Sequence, residues 1–296
     1  MRKIALLLVL LLLLTGCAVA PGEGSTGPQT VELGEDFYVH FLDAGQGDSA
    51  LLEYDGDFVL IDGGYPESGP MIVDYLQERG AEELDLVVAT HGHGDHIGGL
   101  ATVLAKYSAE RVWSGSRPFY STYFEDFLYY VDQQGLTLEL PRIGERFLMG
   151  DGEVTLQVLG PVYRGYTDIN NHSLVIMVEH GENRFLFTGD MRWEAEKDLV
   201  ETYDDLSADV LKVGHHGSYT STSYLFLREV LPTYAVISCG RNNDYGHPHA
   251  EPMSRLRDAE ITIFRTDRMG TIVATSDGEE IAFAWEFSNA QPEVNS

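Results

Sequence analysis

The chain has 296 residues, is 44% hydrophobic, and sets 47 acidic side chains against 19 basic ones for a formal net charge of −28. A surface this acidic repels polyanions, and no Lys/Arg cluster interrupts it, which argues against tight nucleic-acid binding but not against a small-molecule or nucleotide-type substrate. Adaptation to high salt accounts for the same bias equally well.

Arg2-Lys3 is followed by an unbroken apolar run over 4–14. That run is too short to span a bilayer as a helix and suits a signal-peptide core. It ends in Leu14-Thr15-Gly16-Cys17, which resembles the lipobox of bacterial lipoproteins. The resemblance implies a signal peptide at 1–16, cleavage before Cys17 and a lipid on its thiol. The protein would then be extracytoplasmic, held to the cell membrane by that anchor alone; ordinary secretion with cleavage near Ala20 is the alternative. Residues 17–34, rich in Gly, Pro, Ser and Thr, read as a flexible stalk. A folded domain is expected over 35–287 and a polar tail over 288–296. With Cys17 lipidated, Cys239 would be the remaining thiol, so the core must hold the fold without a disulfide.

Strands are expected at 37–42, 49–54 and 58–61, separated by Gly/Asp turns. Helical periodicity over 71–79 stops at Gly80. An apolar run over 84–90 reads as a buried strand, followed by a helix over 97–107, a strand at 109–113 and an aromatic-rich helix over 120–134. A second group of strands falls at 137–140, 154–159, 173–179 and 184–187. Helices at 194–202, 223–231 and 248–258 then alternate with strands at 210–213, 234–238 and 261–264, and strands at 270–274 and 280–285 close the chain. Two groups of strands, each covered by helices, describe an α+β, four-layer αββα sandwich with ligands collected at strand ends.

The 84–90 strand runs into His91-Gly-His93-Gly-Asp95-His96, which puts four metal-ligand side chains into six positions. Imidazole with carboxylate suits Zn²⁺ or a similar divalent ion, and ligands so close in sequence can reach two ions. Two later strands end in the same style, one in Gly189-Asp190 and one in Gly214-His215-His216-Gly217. A carboxylate at the first could bridge two cations.

These motifs resemble those of the metallo-β-lactamase superfamily, with Ile61-Asp62-Gly-Gly matching its early aspartate segment. The likeness runs from about Phe37 to Trp285 and implies that family's αββα sandwich. A narrower likeness, carried by Asp43-Ala-Gly-Gln-Gly-Asp48-Ser49, Asn170-Asn171-His172-Ser173, Tyr245-Gly-His247-Pro-His249 and Arg265-Thr-Asp267-Arg-Met-Gly270, is to the extracellular domain of bacterial DNA-uptake competence proteins. Nothing in the chain resembles their multi-helix channel, so a free-standing relative is expected.

Carried over residue by residue, the resemblance implies one ion on His91, His93 and Asp190 and another on Asp95, His96 and His215, with Asp190 shared and Asp62 supporting from behind. The superfamily usually adds a histidine to the first ion, where this chain has Asn171 and His172. That leaves weak binding, an open coordination position or use of His172. His216 is read as a packing residue, and His247 as a cleft residue that contacts substrate or donates a proton. The implied function is a metal-dependent hydrolase with two divalent ions, zinc first and manganese second. It would activate hydroxide against a phosphodiester, with Asp95 orienting the nucleophile and His247 on the leaving-group side. The alternatives are hydrolysis of a carboxylic ester or lactone, or a non-catalytic metal-binding surface lipoprotein.

Overall fold

The computed structural model describes residues 36–294. Cys17, the signal peptide and the stalk lie outside the described residues. Strands β1 (Phe37–Phe41), β2 (Ala50–Tyr54) and β3 (Asp57–Ile61) form an antiparallel meander, followed by helix α1 (Gly69–Arg79) and strand β4 (Leu84–Ala89). Short helices α2 (Gly94–Ile97) and α3 (Leu100–Leu104), strand β5 (Ala109–Ser114), helix α4 (Thr122–Gln133) and the two-residue β6 (Leu138–Glu139) complete the first half. The second half runs β7 (Arg146–Met149), β8 (Val154–Gly160), β9 (Val175–His180), β10 (Asn183–Phe187), α5 (Trp193–Thr202), β11 (Val210–Lys212), α6 (Tyr224–Val230), β12 (Tyr234–Ile237), α7 (Ala250–Asp258) and β13 (Thr262–Arg265). Helix α8 (Thr266–Met269) and strands β14 (Ile272–Ser276) and β15 (Ile281–Trp285) return to the first sheet.

The strands form an eight-stranded sheet, ordered β15-β14-β1-β2-β3-β4-β5-β6, and a seven-stranded sheet, ordered β13-β12-β11-β10-β9-β8-β7. Alternation along each strand sorts the core into layers. Phe37, Val39, Phe41, Leu86 and Val88 of one sheet meet Ile176, Val178, Phe185 and Phe187 of the other. The intervening residues face outward to helices: Leu84, Val87 and Ala89 pack with Ile72 and Leu76 of α1 and Phe124 and Phe127 of α4. Val175, Met177 and Leu186 pack with Leu199 of α5 and Phe226 of α6. A fully buried Phe or Leu contributes about 1.5–3 kcal/mol, so this double burial sets strand register firmly. The result is the expected αββα sandwich.

Three local expectations are corrected. The helix over 97–107 is broken into α2 and α3 where Gly99 N donates to Gly64 O at 3.0 Å instead of back along the helix; glycine permits this approach, since a Cβ at Gly98 would come within 2.5 Å of Pro66 Cδ and one at Gly99 would overlap the Gly63 carbonyl. The backbone there is pressed against the loop after β3. Strand β7, with alternate residues exposed, had no sequence signal strong enough to mark it. The described part of the tail, 288–294, is docked at Glu293, which exchanges backbone hydrogen bonds of 2.9 and 3.0 Å with Ile263 on the edge strand β13. Its carboxylate also meets Arg257 at 2.7 Å and Arg268 at 2.5 Å. No described helix is long and apolar enough to cross a membrane.

Candidate metal centre

Strands β3, β4 and β5 are parallel, as are β10, β11 and β12. The loops leaving their C-terminal ends carry the chemistry, in keeping with the general rule for parallel sheets. Asp62 follows β3, the 90–96 loop follows β4, Gly189-Asp190 follows β10, and a tight 3-10 turn at Gly214–Gly217 follows β11. Cross-links join them: Leu174 N donates to Thr90 O at 2.9 Å, and His215 N donates to Gly189 O at 3.0 Å.

Asp48, Asp62 and His96 have ligand atoms within 4.8 Å of one another, and so do two further groups that converge here: His91, His93 and Asp190, and Asp95, His96, Asp190 and His216. Asp190 belongs to both. Its Oδ1 lies 3.2 Å from His96 Nε2 and 3.5 Å from His216 Nε2, and its Oδ2 lies 3.8 Å from His91 Nε2. His216 Nε2 is also 3.4 Å from Asp95 Oδ2. His96 Nε2, Asp190 Oδ1 and His216 Nε2 are buried, yet none makes a hydrogen bond. Buried polar atoms left this way are costly, and a divalent cation between them satisfies all three with the donor types it prefers.

Behind these atoms stands a layer of supports. Asp62 takes His96 Nδ1 at 2.7 Å and accepts from Thr90 N at 2.8 Å and Thr90 Oγ1 at 2.6 Å. His216 Nδ1 lies 3.1 Å from both Asp48 Oδ1 and the Ser238 carbonyl. Lys212 Nζ donates to Asp48 Oδ2 at 2.8 Å and to Val213 O at 3.1 Å. Ser173 Oγ accepts from Asp190 N at 2.9 Å. Each supported imidazole is thereby turned so that Nε2 faces the centre.

The charges follow from this packing. Burial pulls the His216 ring down, but Asp190 and Asp48 outweigh it and lift the ring to about 10. His96 is likewise raised well above its usual value: burial is overcome by Asp190 and Asp62. Burial pushes the Asp190 carboxyl up, yet His216, His96 and His215 hold it well below the usual range. Asp95, opposed by burial but favoured by its contact with His216 and by His96, sits at about 2.

Not every expected residue joins the cluster. His91, His93, Asp95, His96 and Asp190 are brought together, with Asp62 behind them. The two adjacent histidines trade the places expected for them: His216 enters the four-residue group, while His215, with 18% of its side chain exposed, approaches Asp190 Oδ2 at 3.5 Å from the rim and shares a hydrogen bond between Nδ1 and Thr220 Oγ1 at 3.1 Å. Both adopt left-handed backbone, at φ 51° and 54°, and this unusual turn directs the second ring inward. His172 is turned away, with Nε2 on the Tyr166 carbonyl at 2.9 Å. Asn171 is spent on Arg192 N and Glu194, each at 3.0 Å. His247 lies on the open side, its ring centroid 6.0 Å from that of His216 and 5.7 Å from that of His215. Lys212 went unnoticed in the sequence, although a lone lysine in an apolar strand signals a buried partner.

A sequence profile described as the metallo-beta-lactamase superfamily matches residues 42–241. ComE operon protein 3 of Bacillus subtilis is 32% identical over 252 residues, covering 79% of this chain and 32% of that protein. Recombination protein 2 of Haemophilus influenzae is 33% identical over 239 residues, covering 79% and 28%. The chain thus spans about a third of the length of these curated relatives. Among solved structures, the metallo-beta-lactamase fold protein YhfI of Bacillus subtilis superposes with a TM-score of 0.55 at 12% identity, covering 81% of this chain and 100% of that one, a likeness of fold. The matched span opens at Leu42, before Asp48, and closes at Arg241, beyond His216, and on that match the chain belongs to the metallo-β-lactamase superfamily.

Proposed function

We propose that the protein is a two-metal hydrolase acting on a phosphodiester. The observation that carries it is the set of buried ligand atoms without hydrogen bonds, which converge on one shared carboxylate. His91, His93 and Asp190 would hold one ion, and Asp95, His96, His216 and Asp190 the other. With imidazole in the majority, Zn²⁺ is favoured over Mn²⁺. Bound divalent ions supply hydroxide at neutral pH and polarise the scissile group.

The chain's own residues do the rest. Asp62 and Asp48 hold the His96 and His216 rings in place. Asp95, whose side chain is 17% exposed, faces the open side, where it accepts a hydrogen bond from the attacking water and orients it. His247 stands beside the cluster on that side and serves the departing oxygen. Two relatives are named for recombination and for competence, which favours a phosphodiester over a carboxylic ester. The acidic surface favours a small or briefly held substrate. We further propose that the enzyme works outside the cytoplasm on a lipid at Cys17; mass spectrometry of the mature N-terminus, finding an unmodified Cys17, would refute this.

The test is metal analysis followed by a panel of bis-aryl phosphodiester, single- and double-stranded DNA, a lactone and a β-lactam. Two equivalents of transition metal and diester turnover are expected. Lactone hydrolysis without diester turnover would reverse the assignment.

A further inference from the structure

The amide of Gln46 has its direction fixed by a partner that can only donate. Gly240 N–H donates to Gln46 Oε1 at 3.0 Å, so the amide nitrogen is the end that lies 3.3 Å from His247 Nδ1. An amide N–H cannot accept, so Nδ1 is the acceptor and the proton of the neutral ring sits on Nε2. Among the described residues, that Nε2 has no protein partner.

Other contacts hold this arrangement in place. A Cβ at Gly240 would come within 2.8 Å of Gln46 N, so glycine there lets the two loops close. Asn243 donates to the carbonyls of Gly240 at 2.9 Å and His247 at 2.7 Å, and accepts from His247 N at 2.9 Å. The ring itself is flanked by those of His249, Tyr245, His215 and His216, with centroids 4.8, 5.5, 5.7 and 6.0 Å away.

We infer that Gln46 is a positioning residue that locks His247 as the Nε2–H tautomer, presenting a proton donor to the leaving-group oxygen; this rests on the hydrolase reading above. In the step it serves, water adds to phosphorus and loses its proton to solvent, the bond from phosphorus to the leaving oxygen breaks, and the Nε2–H donates a hydrogen bond to the charge that develops on that oxygen. The departed oxygen then takes its proton from solvent, and the ring stays neutral throughout. A purely structural Gln46, tying the β1–β2 loop to the 240–249 loop, would affect all substrates alike.

The test uses Gln46→Glu, which can still accept from Gly240 N–H but cannot donate to Nδ1, with Gln46→Met as the second variant. Histidine nitrogen NMR in mildly alkaline buffer, on metal-free and zinc-loaded full-length protein, should show His247 as Nε2–H in the wild type. It should be Nδ1–H in Gln46→Glu and mixed in Gln46→Met. Losing one preorganised hydrogen-bond donor to a developing oxyanion costs about 10²–10³-fold. We therefore expect kcat to fall about 100-fold for an alkyl leaving group and at most a fewfold for p-nitrophenolate, with KM unchanged. Nδ1–H in the wild type, or equal losses on both leaving groups, overturns the inference. A wild type that binds metal but turns over no ester overturns the hydrolase reading, and with it the step assigned to His247.

Discussion

Asp48 stands between two buried cations, with Oδ1 at ion-pair distance, 3.1 Å, from His216 Nδ1 and Oδ2 accepting from Lys212 Nζ at 2.8 Å. Lys212 and Asp48 are both nearly sealed from solvent, with side chains 5% and 8% exposed. Removing one partner of such a pair strands the other charge in a low-dielectric interior, at a cost of about 3–5 kcal/mol. Lys212→Met should therefore lower stability by that amount in thermal or urea unfolding. Lys212→Met with Asp48→Leu should recover much of the loss. If the single and double variants melt together, the pair is not the buried contact seen here.

The adjacent histidines make a sharper comparison. His216→Ala removes a member of the four-residue group, so the protein should bind one equivalent less metal and lose at least about 100-fold in turnover. His215→Ala, at the rim, should keep its metal content. Plasma mass spectrometry of the two purified variants measures this directly, and the reverse result would return His215 to the inner position.

That comparison also marks where the sequence stopped being legible. The layer order and the 91–96 loop could be read because period-2 alternation and ligand spacing are local properties. Which of two neighbouring histidines faces inward depends on two left-handed residues in a Gly-bounded turn, and Gly214-His-His-Gly217 reads the same either way. The break near Gly98 was hidden for a related reason: the helical pattern is intact, and the obstacle is the backbone of a loop about 35 residues earlier in the chain. Glu293 looked like part of a polar tail because its arginine partners, Arg257, Arg265 and Arg268, are distant in sequence. Gln46 carried no signal by itself, since its meaning lies in the direction of one amide.

Acid sensitivity should arise far from the metal centre as well. Arg79 donates to both oxygens of Glu53, at 2.8 and 2.9 Å, and His40 Nε2 lies 3.2 Å away. Burial pushes the Glu53 carboxyl up, but His40 and Arg79 outweigh it and hold the group below 4.5. Burial lowers His40 below 6.5. Both groups take up protons more readily when unfolded, so their stabilisation is complete above 6.5, declines as pH falls below it, and declines further below 4.5. Glu53→Gln should flatten the lower part of a melting-temperature profile taken between about pH 7 and pH 3. An unchanged slope there would exclude Glu53 as a contributor.

The last prediction concerns how the support layer is held against the metal loop. Gly63 N donates to His96 O at 2.6 Å, Gly99 N donates to Gly64 O at 3.0 Å, and Gly99 lies so close to the Gly63 carbonyl that a methyl group would overlap it. The obstacle is backbone on both sides, so no side-chain rotation can relieve it. Gly99→Ala should cost about 1–3 kcal/mol, the usual range for overpacking. Because the strain falls between the loop carrying Asp62 and the loop carrying His96, it should also lengthen the 2.7 Å bond that orients His96. Metal affinity should then fall along with stability, whereas Gly80→Ala, at a helix end with open space around it, should lower stability alone. Chelator competition on both variants separates the two effects, and equal metal retention would show that the two loops are not coupled through Gly99.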